Sequence, residues 1–153
     1  MSPLIKSDAK MQLLRSVPLF ATCNSRQLSR IAALTVALDV PQGEVLCREG
    51  QAGTEFFVIV DGEAAVSVKG RRRATIGPGG FCGELAILDG GPRVASVSTT
   101  VPTRVLVLSR SEFQGLLRLA PEIALNLLRA MAGRLREADL ANREQRAGAP
   151  IGS

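Results

Sequence analysis

Histidine does not occur anywhere in the 153 residues. Its absence removes the commonest metal ligand and the usual general base, and with them any Ser-His-Asp arrangement. Tryptophan and tyrosine are missing too, and five phenylalanines supply all the aromatic surface. A binder that stacks nucleic-acid bases on aromatic side chains has little to work with here, although the formal charge is +5. The three cysteines, Cys23, Cys47 and Cys82, stand far apart with no CxxC pair. Neither a disulfide framework nor a four-thiolate metal site is expected, and a reducing cytoplasm fits best. No apolar run approaches the roughly 18 residues of a membrane span, and nothing after Met1 reads as a charged segment leading into an apolar one. The expected protein is cytoplasmic, without a catalytic centre and without membrane association.

What is present suffices for one domain: 46% of residues are hydrophobic and 22% charged, enough to close a core without metal or disulfide. The basic residues fall in two places. Lys69, Arg71, Arg72 and Arg73 flank Gly70 between apolar runs and read as a hairpin tip. Arg129, Arg134, Arg136, Arg143 and Arg146 follow one helical segment with acids interspersed, the pattern of a solvated face.

Eleven of the fifteen glycines lie between Gly43 and Gly91, with short β-rich runs between them. That spacing predicts short strands and tight turns over Thr35 to Val40, Val45 to Arg48, Glu55 to Val60, Ala64 to Lys69, Arg73 to Ile76, Val94 to Thr99 and Arg104 to Leu108. Closing them into a barrel or roll would protect their edges. The flanks read as helices. Asp8 is a candidate cap for a segment with Met11, Leu13 and Leu14, and Ser25 for one with Leu28, Ile31 and Leu34. Ser111 starts a short helix through Leu119. Pro121 opens the last one, whose apolar positions Ile123, Leu127, Leu128, Met131 and Leu135 recur at helical spacing. The expected boundaries are an N-terminal helical segment over 1–34, a β-roll over 35–109, C-terminal helices over 110–146 and a frayed tail over 147–153.

The informative stretch runs from Pro78 to Ser96 and combines three anion-binding devices. Its glycines let backbone come close to a ligand, a short helix beginning at Glu84 would aim free N–H groups at it, and Arg93 carries a fork of donors suited to phosphate oxygens. One carboxylate, Glu84, stands among them. Beside a phosphate it would repel, so its presence calls for another partner, and a sugar hydroxyl donating to it is a sensible one. Phosphate plus ribose hydroxyl describes a nucleotide. Phe81, Leu85 and Ile87 read as packing residues and Cys82 as a small buried one.

The pattern FxGELAxLxxxPRxAxV within this stretch resembles the phosphate-binding cassette, here residues 79–96, of the cyclic-nucleotide-binding domain family. That family includes catabolite-activator-type regulators, kinase regulatory subunits and cyclic-nucleotide-gated channels. Gly43-Glu44-Val45-Leu46, Glu49-Gly50, Gly53 and Phe56 to Glu63 resemble its strand-turn-strand signature, and Val17-Pro18-Leu19-Phe20 its opening segment. The resemblance, running from about Leu13 to Leu140, implies a mainly β fold with terminal helices. The fold would be a double-stranded β-helix, a jelly-roll-like β-roll, flanked by N-terminal helices and a C-terminal helix pair. It further implies that Glu84 holds a ribose 2′-hydroxyl, that Arg93 holds a cyclic phosphate, and that the N–H groups of Gly83, Leu85 and Ala86 take the remaining phosphate oxygens, with Val94 and Ala95 completing the ligand-contacting set. By the same resemblance the chain is a bacterial cyclic-nucleotide sensor with no cofactor.

The chain departs from the family where many members place Ser or Thr after the arginine, for here stands Val94. Threonine there goes with cyclic GMP, so its absence leans the ligand toward cyclic AMP, with cyclic GMP the other candidate. Bacterial regulators of this type present hydroxyls to adenine from the final helix. The register from Pro121 puts Ala138 and Asp139 there, where Asp139 can accept from an adenine amino group or simply pair with Arg136 or Arg143. The regulators continue into a helix-turn-helix, and no such module is read here, so the expectation is no direct DNA binding and an effector protein still to be identified. A homodimer through Leu127, Leu128, Met131 and Leu135 of the final helix is expected, and the alternative reading is a degenerate, non-binding β-roll that uses the same stripe for dimerisation or docking. A cupin-like metalloenzyme shares the β-roll but needs histidines.

Overall fold

The computed structural model describes residues 7–147. Strands β3 (Glu55–Asp61) and β8 (Thr103–Ser109) are apolar at successive positions rather than alternate ones, the mark of a strand covered on both faces. Phe57 and Ile59 of β3, with Val105 and Val107 of β8, point into one hydrophobic cluster. Their neighbours Phe56, Val58, Leu106 and Leu108 point into another. The period-2 geometry of a strand makes that division unavoidable.

The first cluster fills the roll. It draws on β3, β8 and β6 (Phe81–Cys82) from one sheet and on β2 (Val45–Cys47), β4 (Ala64–Val68), β5 (Arg71–Ile76) and β7 (Ser96–Thr99) from the other. With β1 (Val36–Val40), the strands form two four-stranded sheets, ordered β1-β8-β3-β6 and β2-β7-β4-β5, and every pairing is antiparallel. The second cluster lies between the first sheet and the helices: α1 (Ser7–Arg15), a 3-10 turn over Pro18–Phe20, α2 (Ser25–Leu34), α4 (Arg110–Leu119) and α5 (Pro121–Ala147). Phe56 is its centre, with ring centroids 4.6 Å from Phe113 and 5.6 Å from Phe81. The fold is therefore the expected one, mainly β with flanking helices.

Several boundaries move, each for a local reason. Strand β4 turns into β5 through only Lys69 and Gly70, both at positive φ (52° and 77°), with Val68 opposite Arg71; this is a two-residue hairpin of the mirror-image type. Arg71, Arg72 and Arg73 therefore belong to the strand, where all three are exposed, and not to the tip. Gly62, at φ 102°, makes the β3–β4 turn; a Cβ there would lie 2.7 Å from Thr103 Cα, whose side chain helps hold the turn by accepting from Glu63 N–H at 3.2 Å. The strand expected from Val94 begins only at Ser96.

Helix starts are one or two residues from expectation because other side chains do the capping. Asn24 caps α2 in a reciprocal pair with Gln27, and Ser109 caps α4 in the same way with Glu112. Ser25 and Ser111 are already helical, and Asp8 lies within α1. Helix α5 runs through Arg146 and Ala147; the rest of the expected tail, 148–153, lies outside the described residues. Its apolar stripe is divided. Ile123 and Leu127 are buried, whereas Leu128 (62% exposed) and Leu135 (73%) face solvent.

Candidate functional site

Strand β6 is two residues long and delivers the chain to Gly83, whose φ of 92° only glycine adopts without strain. From that turn helix α3 (Glu84–Asp89) departs. A Cβ on Gly83 would sit 2.5 Å from Glu55 O and 2.6 Å from Arg93 Nη1, so this glycine also makes room for two neighbours. After α3, Gly90 at φ 72° ends the helix and returns the chain to Arg93.

Arg93 is 7% exposed. Its Nη2 donates to Glu55 O at 2.8 Å and its Nη1 to Gly83 O at 3.2 Å. The guanidinium lies against Gly53, where any Cβ would overlap Nε and Cζ. The backbone around it is pinned as well: Arg93 N–H donates to Gln51 O at 2.8 Å, and Gly50 N–H donates to Arg93 O at 2.8 Å. Burying a guanidinium without a carboxylate partner is costly unless its donors are met, and here two carbonyls meet part of that need. The fork keeps further N–H groups for an anion.

Glu84 is 6% exposed. Its carboxylate is held from the far end of the chain: Arg134 on α5 places Nη1 2.9 Å from Glu84 Oε1. The same guanidinium donates through Nη2 to Phe81 O at 2.6 Å and lies over the Phe81 ring, 4.2 Å from its centroid. One side chain of the C-terminal helix thus grips the start of α3 and the start of β6 together.

An open cavity of about 490 Å³ adjoins the cradle and is lined by Gly43 to Arg48, Gln51 to Glu55 and Arg93. It meets the cradle at Arg93. Gly83, Glu84, Leu85 and Ala86 are not among its walls; on their side, Glu84 is covered by Arg134.

Of the residues expected from sequence, Gly83, Glu84 and Arg93 converge. Ala86 is buried and its carbonyl accepts from Arg110 Nη2 at 2.9 Å. Leu85 is partly exposed, Val94 is 62% exposed and Ala95 is half-buried. Ala138 and Asp139 lie on the exposed stretch of α5, where Asp139 Oδ2 is 3.1 Å from Arg143 Nη2. Ala138 stands one turn beyond Arg134 on the same helix face. Sequence reasoning missed Arg134 and the Glu55 carbonyl. It also treated Cys47 and Cys82 as unrelated, yet both are buried in the roll's core cluster, one from each sheet. Among the described residues no group of His, Cys, Asp or Glu is arranged to hold a metal ion, and no helix is long and apolar enough to cross a membrane.

Comparison with known proteins agrees with this geometry. A family profile described as "Cyclic nucleotide-binding domain" matches residues 37–119. A cyclic nucleotide-gated potassium channel of Mesorhizobium japonicum is 40% identical over 113 residues, covering 74% of this chain and 31% of the channel. A CRP-like cAMP-activated global transcriptional regulator of Mycobacterium tuberculosis is 35% identical over 116 residues, 71% of this chain and 52% of the regulator. The crystal structure of the catabolite activator protein of Thermus thermophilus superposes with a TM-score of 0.73 at 31% identity, over 84% of this chain and 62% of that one. The chain spans only a third to a half of these two curated relatives. The chain belongs to the cyclic nucleotide-binding domain family.

Proposed function

We propose that this chain is a cyclic-nucleotide sensor whose ligand is cyclic AMP and whose output is movement of α5. The reading is carried by Arg93, whose buried guanidinium donates to the carbonyl of Gly83, the residue that precedes Glu84. Arg93 answers the cyclic phosphate with charge and a fork of donors. Glu84 accepts from the ribose 2′-hydroxyl, and the N–H groups of Gly83, Leu85 and Ala86 turn toward the remaining oxygens. Val94 has no hydroxyl to offer a guanine amino group, which favours adenine. Ala138 and Asp139 are the proposed neighbours of the base.

Output follows from the bond between Arg134 and Glu84. A ribose hydroxyl arriving at Glu84 contests the carboxylate that Arg134 holds, so ligand and α5 are coupled through one group. Coupling of this kind is a free energy shared by both sites. The effector is another protein or another part of a longer one, reached through α5, and direct contact with DNA or membrane is not part of the proposal. The ligand is bound and returned intact, because the Glu84 carboxylate is engaged by Arg134 and is not paired with a second side-chain acid or base.

Calorimetric titration with cyclic AMP and cyclic GMP tests the proposal, with the nucleotide recovered afterwards. Saturable heat with cyclic AMP, weaker heat with cyclic GMP and intact nucleotide are expected. Absence of heat with both would return the chain to a docking module, and formation of 5′-AMP in proportion to protein would make it an enzyme.

A further inference from the structure

The roll contains a second chemical group that nucleotide binding does not use. Cys47 ends β2 in one sheet and Cys82 ends β6 in the other, yet both thiols are buried in the cluster between the sheets. Both are free. Cys47 also lines the 490 Å³ cavity together with Arg93, so one of the pair is open to a small solute. Cys82 lies behind it and immediately precedes Gly83, whose carbonyl Arg93 holds.

The thiol of Cys82 and, less strongly, the Arg93 guanidinium push Cys47 below the usual thiol value. Cys82 is driven well above it, first by its bond to Cys47 and then by burial. The cavity wall makes Cys47 the thiol that a small oxidant meets first and leaves Cys82 to resolve it. Cys23 differs: it packs against the helix-side cluster, and burial followed by the charge of Glu122 raises its thiol.

We propose that Cys47 and Cys82 are an oxidisable dithiol at the base of the cradle, which a peroxide closes to an intramolecular disulfide joining the two sheets. The Cys47 thiolate attacks one peroxide oxygen, the O–O bond breaks, and the departing hydroxide takes up the proton Cys47 gave on ionising, leaving Cys47 as a sulfenic acid. The Cys82 sulfur then attacks the Cys47 sulfur. The S–O bond breaks, and hydroxide leaves with the Cys82 proton as water. Two thiols lose two electrons and two protons, and one peroxide becomes two waters.

A cross-link here acts on the cradle. Strand β6 is two residues long and joins Gly83 directly, so its brevity leaves Gly83 and Glu84 room to adjust to a ligand, and a covalent tie through Cys82 removes that room. This consequence rests on the nucleotide reading, whereas the disulfide itself does not.

The experiment treats the reduced full chain with hydrogen peroxide, then unfolds it, alkylates free thiols and maps peptides by mass. One alkylated thiol at Cys23, a peptide linking Cys47 to Cys82 and reversal by dithiothreitol are expected, and in Cys23→Ser the same linked peptide with no alkylated thiol. Cys47→Ser and Cys82→Ser should each lose the linked peptide, while the map of the parent decides the matter should either variant not fold. Three alkylated thiols after peroxide, a product carrying only added oxygen on Cys47, or links only between molecules would overturn the proposal. Cyclic AMP titrated against both forms should bind several-fold more weakly to the oxidised one, and equal affinity removes the coupling. A reduced chain that binds no nucleotide rejects the sensor reading and leaves the disulfide to the peptide map.

Discussion

Arg134 Nη1 and Glu84 Oε1 stand 2.9 Å apart although the residues are fifty positions apart in the chain. Glu84 is the buried partner and Arg134 is 42% exposed, so the two ends of the bond are not equivalent. Removing the arginine strands a buried carboxylate, whereas neutralising the carboxylate leaves an arginine that water can reach.

Arg134→Ala should therefore destabilise the fold by about 1–2 kcal/mol, below the value for a fully buried pair because the arginine is partly screened by solvent. Glu84→Gln should cost less, and in its background Arg134→Ala should cost less again. Urea unfolding of both single variants and the double variant measures this; strictly additive losses would mean that the pair does not interact in solution.

On the ligand side the two cradle residues should separate by chemistry. Arg93→Ala should weaken cyclic AMP binding by roughly 2–5 kcal/mol, since the cyclic phosphate loses its cation in a partly desolvated place. Arg93→Lys should recover only part, because an ammonium makes no forked contact. Glu84→Gln should cost about 1–2 kcal/mol, an effect that fades with 2′-deoxy cyclic AMP while the Arg93 effect persists. Calorimetry on both ligands checks the assignment, and equal Glu84→Gln losses on both would remove the ribose role.

Gly53→Ala is a quieter probe of the same cradle. The added methyl overlaps the Arg93 guanidinium, which is buried and bonded to Glu55 O and Gly83 O and so has little room to yield. Cyclic AMP affinity should fall at least tenfold, about 1.4 kcal/mol, with circular dichroism unchanged. Unaltered affinity would show that Arg93 moves away from Gly53 at little cost.

Asp39 on β1 and Arg104 on β8 give the fold a modest pH dependence. They are directly opposed in register, and Arg104 Nε donates to Asp39 Oδ1 at 2.6 Å, a bond that holds the Asp39 carboxyl below its usual value. The contribution is present above the unfolded carboxylate value of about 3.9 and is lost as pH falls through the lower folded value. Because both side chains are exposed, Asp39→Asn should cost only about 0.2–1 kcal/mol near neutrality. Unfolding curves should show that gap closing below about pH 4 and shrinking in high salt; a gap that widens in acid contradicts the assignment.

The expected self-association of the final helix can be narrowed by burial. Leu127 belongs to the domain's own core, while Leu128 and Leu135 remain exposed. Light scattering should report a dimer for the parent and a monomer for Leu128→Glu and Leu135→Glu. A parent that is monomeric at high concentration removes this role for α5.

The cassette was readable from sequence because its parts are contiguous: Gly83, Glu84 and Arg93 lie on one turn, one short helix and the return of the chain, and local geometry alone brings them together. Arg134 was not readable. It is one of several arginines on α5, and nothing in its spacing distinguishes it from Arg129 or Arg136; only the packing of α5 against α4 and the Pro18–Phe20 turn, which brings it to Glu84 and Phe81, selects it. Strand β6 escaped for a different reason, since two residues between glycine-rich turns carry no periodicity. Cys47 and Cys82 looked unrelated because their meeting depends on how two sheets close on each other, which no local pattern states. Helix starts were misplaced where Asn24 and Ser109 took the capping role from nearby serines.

Phe56 and Phe57 are neighbours in sequence, yet the wall formed by β3 puts one among the helices and the other inside the roll. The chain contains no tryptophan, so an indole introduced at either place would be the sole emitter in the molecule. One placed at 56 would register rearrangement of the helical layer, and one placed at 57 the roll beneath the cradle. Two adjacent positions in one strand thus offer separate optical views of sensing and of output, and the order in which the two signals change after mixing with a ligand would give the direction in which the message crosses the wall.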